Sequence, residues 1–257
     1  MKNKLRFFLF LANILFVMFL FEENVSSMSL ACNITTIKNL NTDKRVISDR
    51  EKVIYLTFDD GPSNKVTNKV LDILKEKEVK ATFFLIGNQI NGLEDVVKRT
   101  YDEGHSLGLH TYTHKFNKIY CNEDKFIQEM FDCRNEINKV VGISPNIIRF
   151  PGGSCKRLSK SYLNKLHDNK FKIYDWNLDN SDGIDPKLSP SKLYRNAIKG
   201  SEKLPNIILL MHCTSMNKNT YKALPQIIEY YKSHGYEFKT ITEDTPELYF
   251  PIRKNLT

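Results

Sequence analysis

From residue 53 onward, short apolar runs alternate with amphipathic segments, and no other feature limits the fold of this chain so strongly. The strand-like runs are 53–57, 82–86, 106–110, 147–150, 171–175, 207–211 and, more weakly, 237–241. Between them, apolar residues recur at helical spacing in 65–77, 91–103, 124–141, 159–168, 190–200 and 220–234. Val70, Leu71, Ile73 and Leu74 form one such stripe, and Phe126, Ile127, Met130, Phe131 and Ile137 another. Strands separated by helices of this length pair in parallel through right-handed crossovers. Seven such units build either a barrel or an open, doubly wound sheet. No internal repeat and no linker rich in Pro, Gly or Ser interrupts the pattern.

Parallel α/β folds gather their strand C-termini on one face, where their active sites lie. The polar residues fall at those ends. Asp59 and Asp60 follow the first strand, His110 and His114 the third, Arg149 closes the fourth, Asp175 the fifth, and His212 the sixth. Seven residues distant in sequence are thereby expected to converge.

Their chemistry is complementary. His110 and His114, at i and i+4, share a face if the segment turns helically, and so can present two nitrogens to one metal. Either acid of the Asp59-Asp60 pair would complete a three-ligand set with a position left open for water, the pattern of a catalytic zinc site. The other acid is then free to act as a general base. Neighbouring residues at an extended strand end point to opposite sides, which suits this split of roles. Taken singly, each feature also has a plain structural reading: acids before Gly61-Pro62 are turn formers, and the lone Trp176 is by default a core residue. Arg149 opens a turn, Pro151-Gly152-Gly153, and can hold a carboxylate ionised by bidentate hydrogen bonds. The glycines let backbone N–H groups approach a developing oxyanion. His212 ends an apolar strand and can protonate a leaving amine.

Thr57-Phe58-Asp59-Asp60-Gly61, His110-x-x-x-His114, Arg149-x-Pro151-x-Gly153, Asp175-Trp176 and Leu210-x-His212 resemble the five ordered motifs of the polysaccharide deacetylases, the NodB-homology or carbohydrate esterase family 4 domain. The resemblance implies an α/β fold, a single-domain distorted (β/α)7 barrel over 51–245. It implies Asp60, His110 and His114 as ligands of one divalent metal, zinc foremost, with cobalt, nickel, manganese or iron as alternatives. It implies Asp59 as catalytic base held by Arg149, and His212 as catalytic acid tuned by Asp175. Pro151, Gly152, Trp176 and Leu210 are implied to line the substrate groove. Two positions depart from the common pattern: Cys213 stands where Asp is frequent, and Gly152 where Tyr is frequent.

The remaining features bear on location and partners. Lys2, Lys4 and Arg6 precede an apolar run of about fifteen residues, followed by Ser29-Leu30-Ala31. A basic head, a short apolar run and a small-x-small site describe a secretory signal peptide. An uncleaved membrane anchor is the alternative for 1–31, and Cys32 raises a lipoprotein site as a third. Each places the rest of the chain outside the cytosol, with 32–50 as a polar lead-in and 246–257 as a C-terminal tail. The formal charge of +8 is scattered along the chain rather than gathered in a basic arm, and no nucleic-acid-binding motif accompanies it. Five scattered cysteines without a CxxC pair exclude a structural zinc ribbon. The expected partner is an N-acetylated polysaccharide, peptidoglycan first; chitin-type oligomers, an exopolysaccharide or acetylated xylan are alternatives. A non-catalytic wall-binding protein on the same fold is the rival of another class. Membrane contact is expected only through the N-terminal segment, and the chain is expected to be a monomer.

Overall fold

The computed structural model describes residues 51–252. The expectations for 1–31 and 32–50 lie outside the described residues. Eight parallel strands form one sheet: β1 (Lys52–Gly61), β2 (Thr82–Leu85), β3 (Ser106–Leu109), β4 (Ile147–Ile148), β5 (Lys172–Ile173), β6 (Leu178–Asp179), β7 (Asn206–His212) and β8 (Tyr236–Phe238). Their order is β5-β4-β3-β2-β1-β7-β6, with β8 paired to the start of β1. The helices are α1 (Asn64–Glu76), α2 (Glu94–Asp102), α3 (Phe116–Ile119), α4 (Glu123–Val141), α5 (Lys160–Asp168), α6 (Pro190–Ile198) and α7 (Lys218–Ser233). The sheet curls into an incomplete barrel, because β5 and β6 do not pair with each other. Among the described residues, no helix is long and apolar enough to cross a membrane.

Local sequence chemistry sets the helix ends. Ser63, Asn122, Ser159 and Ser189 cap the starts of α1, α4, α5 and α6, each accepting a hydrogen bond from an early backbone N–H. Pro190 occupies the first turn of α6, where no intrahelical N–H is lost. Gly142 ends α4 with a left-handed φ of 72°.

The ten-residue β1 is the spine of the sheet. Lys52–Ile54 at its start pair with β8, its second half with β2, and most of its length with β7. Alternation along the strands divides the side chains. Ile54, Leu56 and Phe58 of β1, with Leu209 and Met211 of β7, point into the core beneath the helices. Thr57, Asp59, Leu210 and His212 take the intervening positions on the concave side. In register Asp59 stands opposite His212, so the two longest strands deliver their polar ends side by side.

Three features differ from the sequence expectation. The two-residue β6, in a polar stretch, extends the sheet beyond β7. Residues 246–252, read as tail, are docked: Leu248 bridges to Tyr174, and the Asp175 N–H donates to the Leu248 carbonyl at 2.6 Å. At the end of β1 the pairing with β2 slips between Asp59 and Gly61, a bulge with Asp60 at φ 65°.

Candidate active site and metal centre

The bulge decides how the two acids are presented. Regular alternation would send Asp59 and Asp60 to opposite faces, as expected from sequence. Instead, the extra residue and the left-handed φ of Asp60 turn both carboxylates toward His110. The His110 Nε2 lies 3.4 Å from Asp60 Oδ1 and 3.7 Å from Asp59 Oδ2. His114 Nε2 lies 3.2 Å from the same Asp60 oxygen. The histidine pair is not helical either. Thr111 and His114 take φ values of 68° and 54°, and this loop, rather than a helix turn, brings the two rings to a centroid distance of 5.1 Å.

Buried side chains fix these groups. The His110 Nδ1–H donates to the Arg149 carbonyl at 2.9 Å, which turns Nε2 toward Asp60. Arg149 is fully buried beneath the acids. Its Nη1 donates to Asp59 Oδ1 at 2.8 Å and Thr57 Oγ1 at 2.7 Å, its Nε to the Tyr174 carbonyl at 2.6 Å, and its Nη2 to the Asp175 carbonyl at 3.1 Å. A buried guanidinium with every edge engaged is a rigid fork, and it leaves Asp59 Oδ2 pointing into the site. On the other side, His212 donates both its backbone N–H and its Nδ1–H to the Asp182 carboxylate, at 2.9 and 2.7 Å. Thr220 Oγ1 donates a third hydrogen bond to Asp182, at 2.5 Å. Burial opposes charge on His212, but the Asp182 charge and hydrogen bond outweigh it and push the imidazole up to about 9.

The profile of the polysaccharide deacetylase family matches residues 47–170. A peptidoglycan-N-acetylglucosamine deacetylase of Bacillus cereus is 35% identical over 218 residues, covering 83% of this chain and 77% of that protein. The chain belongs to the polysaccharide deacetylase family. A peptidoglycan-N-acetylmuramic acid deacetylase of Bacillus subtilis is 32% identical, with 76% of this chain and 72% of that protein covered. Among solved structures, a polysaccharide deacetylase from Bacillus cereus superposes with a TM-score of 0.71 at 36% identity, covering 79% of this chain and 96% of that one. The catalytic domain of a peptidoglycan N-acetylglucosamine deacetylase from Eubacterium rectale gives 0.72 at 29% identity, covering 84% and 100%.

Carbohydrate esterase family 4 deacetylases are metal-dependent, and the donor set here fits a metal. Asp60, His110 and His114 each offer an atom within 4.8 Å of the others. Asp60 Oδ1 is buried with no hydrogen-bond donor of its own. Ligand atoms around a tetrahedral zinc stand about 3.4 Å apart, and the two separations from Asp60 Oδ1, 3.2 and 3.4 Å, match that spacing. Burial works against ionisation of Asp60, yet the neighbouring imidazoles hold its carboxyl well below the usual range. Two imidazole nitrogens and a carboxylate oxygen gathered in this way form a candidate metal site.

One sequence expectation is corrected. Asp175 does not reach His212; that partner is Asp182. The Asp175 carboxylate, fully buried and with its carboxyl raised by desolvation, instead accepts from the Ser154 N–H at 3.0 Å, from Ser154 Oγ, and from the Phe250 N–H at 2.8 Å. It fastens the Arg149–Gly153 turn to the docked 246–252 segment. The physical reason is the direction of the chain: Asp175 follows β5, on the far side of Arg149, whereas Asp182 follows β6, which pairs with β7. Asn180-Ser181-Asp182-Gly183 reads in sequence as a turn, and nothing local marks it as a partner of a residue thirty positions on. Gly183 supports the same ring: a Cβ there would come within 2.4 Å of His212 Cε1.

Glu129 was also missed. From within α4, 2% exposed, it accepts from the Tyr112 N–H at 3.0 Å and the Thr113 N–H at 2.6 Å, and its other oxygen takes the Thr113 hydroxyl at 3.1 Å. Its carboxylate therefore grips the loop between the two metal-site histidines. A buried acid in a helix otherwise charged on its outer face was the available signal.

The groove positions are also defined. Gly152 is exposed at φ 71°, and its N–H has no protein partner among the described residues. Tyr120 donates to the Pro151 carbonyl at 2.6 Å. Trp176 and Leu210 are 8% and 7% exposed, walls rather than open platforms. Trp176 lies edge-on to Phe250 and 5.9 Å from the Arg149 guanidinium. Cys213, at the other departing position, is buried and donates weakly to the Asp59 carbonyl at 3.6 Å. The orientation of His212 is thus left to Asp182.

Proposed function

We propose that this deacetylase hydrolyses the N-acetyl group of N-acetylglucosamine units in peptidoglycan, outside the cytoplasm, with Asp59 as general base and His212 as general acid. The observation that carries this reading is the pair of opposed devices around the donor triad. Asp59 is gripped by Arg149 at 2.8 Å, and His212 donates its Nδ1–H to Asp182 at 2.7 Å. The peptidoglycan deacetylases among its relatives and the basic, apolar N-terminus support the substrate and location.

In this mechanism Asp60, His110 and His114 hold one divalent cation, zinc foremost. When bound, that cation polarises the acetamide carbonyl and makes water more acidic. Asp59 uses the oxygen not engaged by Arg149 to accept the proton of the attacking water as the carbon–oxygen bond forms. The Gly152 N–H donates to the oxyanion. As the carbon–nitrogen bond breaks, His212 gives its Nε2 proton to the departing amine, and acetate and a glucosamine unit leave. Leu210 and Trp176 enclose the acetyl end, with Pro151 fixing the turn that presents Gly152.

The test is acetate release by the full chain from peptidoglycan, chitooligosaccharides and acetylated xylan, with chelation and metal add-back. Peptidoglycan is expected to release most acetate, with loss on chelation and recovery on zinc addition. No acetate from any N-acetylglucosamine polymer, with metal supplied, would sink the reading. Asp59→Asn is expected to abolish turnover while metal stays bound; loss of metal in that variant would exchange the roles of the two acids.

A further inference from the structure

Gly152 leaves the groove without a side chain at the third motif, and a ring from another element takes that place. A Cβ at Gly152 would stand 3.4 Å from both Cε1 and Cζ of Phe116. Phe116 opens the four-residue α3 immediately after the metal-site loop, and its ring lies edge-on to His114 at 5.5 Å. It is nevertheless 46% exposed. An aromatic ring left in water beside a metal-site residue is poorly accounted for by packing alone.

Arg157 completes the same surface. Its guanidinium stacks 4.3 Å from the Tyr120 ring and 5.8 Å from that of Phe116. Its Nη1 donates to the Gly153 and Cys155 carbonyls at 3.2 and 3.5 Å. Its Nη2 stands 3.9 Å from the Cβ position of Gly152. Among the described residues no carboxylate pairs with it, and neither Nε nor Nη2 makes a hydrogen bond. A guanidinium carries five donors in a fixed fork. Here one nitrogen anchors that fork to the turn and the rings orient it, so the remaining donors are pre-aimed at the groove.

We propose that Phe116 and Arg157 form a substrate platform beside the donor triad, the ring taking the apolar face of a sugar and the guanidinium a carboxylate carried on the same glycan strand. The proposal rests on the reading of the chain as a peptidoglycan deacetylase, and it adds a preference for anionic over neutral N-acetylated glycans. In peptidoglycan the carboxylate has two sources, the lactyl group of a muramic-type sugar or the attached stem peptide. The shared chemistry is a carboxylate next to the sugar that loses its acetyl group.

Binding is measured by calorimetry on the zinc-supplied full chain in an Asp59→Asn background, so that it does not depend on turnover. Three ligands are compared: a neutral N-acetylglucosamine tetramer, a glycan strand with free lactyl carboxylates, and a strand whose lactyl groups are amide-linked to stem peptides. Arg157→Gln is expected to weaken the carboxylate-bearing ligand about tenfold, as for a hydrogen-bonded charge, and the neutral tetramer no more than about twofold by the same reasoning. Loss confined to the free-lactyl strand identifies the lactyl source, and loss confined to the peptide-linked strand the stem peptide. Arg157→Lys should recover part of the loss. Phe116→Ala is expected to weaken all three ligands about tenfold through lost ring contact, with Phe116→Tyr restoring them and zinc affinity unchanged. Equal loss on all ligands in Arg157→Gln, or no loss in either variant, would overturn the platform. Weakened zinc binding in Phe116→Ala would show instead that the ring only props His114. Failure of the wild-type chain to release acetate from any of the three would refute the deacetylase reading, and the binding result would stand on its own.

Discussion

The Asp182→Asn substitution tests the acid side of the site, because it preserves volume and turns one acceptor into a donor. Asp182 Oδ2 accepts from the His212 N–H at 2.9 Å and from Thr220 Oγ1 at 2.5 Å. In the amide variant the carbonyl oxygen must stay there, so the NH2 group replaces Oδ1 and meets His212 Nδ1, 2.7 Å away. Two donors cannot share that contact. Imidazole must then present Nδ1 as an acceptor, and the imidazolium form is disfavoured twice. It loses a charge-assisted hydrogen bond worth about 1.5–3 kcal/mol. It also loses an opposite charge within 4 Å, worth about 4 kcal/mol at the effective dielectric of a partly buried pair. These losses overlap, so the imidazolium is destabilised by about 4 kcal/mol, roughly three pK units, which leaves about a tenth of His212 protonated at neutral pH and lowers kcat about tenfold. Acetate release at saturating substrate would show it, with KM little changed and bound zinc undiminished. The alkaline limb of the rate profile should move to lower pH, because the Asp182 charge is what raises His212. A variant that keeps more than a third of wild-type kcat with an unmoved limb would refute the pairing. So would Asp175→Asn, if it moved that limb while the protein stayed folded.

Two further expectations concern groups away from the acid. Glu129→Ala removes the acceptor of two backbone N–H groups in the loop between His110 and His114, and should weaken zinc binding about 10–100-fold by chelator competition. Glu129→Gln, which retains one carbonyl acceptor, should fall between, and an unchanged affinity in both would refute the role. His105 is 4% exposed, accepts from the Ala81 N–H through Nδ1, and buries an unpartnered Nε2. Burial, aided by the Lys80 charge, lowers its pKa from 6.5 to about 4. The unfolded chain therefore binds a proton at this site before the folded protein does, so the stabilisation is full above about pH 6.5 and lost as pH falls to about 4. The whole effect is about 3 kcal/mol. Urea unfolding across that window should show a shallower acid dependence in His105→Gln, and the same dependence in both proteins would refute it.

What was legible in the sequence follows from the range of each interaction. Six amphipathic helices and the long strands β1 and β7 were visible because periodicity and capping act within a few residues. The two-residue β6 was not, since two residues carry no period and its neighbours are turn formers. The candidate residues were likewise visible as types: acids, imidazoles and an arginine at strand ends. Their pairings were not. Alternation assigned Asp59 and Asp60 to opposite faces, and one slipped register with φ 65° at a non-glycine residue overrode it. Helical spacing linked His110 and His114, but two left-handed residues make that approach, and the buried carboxylate of Glu129 holds the loop that contains them. Such backbone costs about 1–3 kcal/mol per residue and persists only where its surroundings over-determine it. Here those surroundings come from α4 and from the arginine at the end of β4, both distant in sequence. The exchange of Asp175 for Asp182 has the same origin: the acid that meets His212 is set by which strand pairs with β7, a fact of sheet topology rather than of any motif. A motif can therefore name the chemistry of a site before the fold determines which residue performs each part of it.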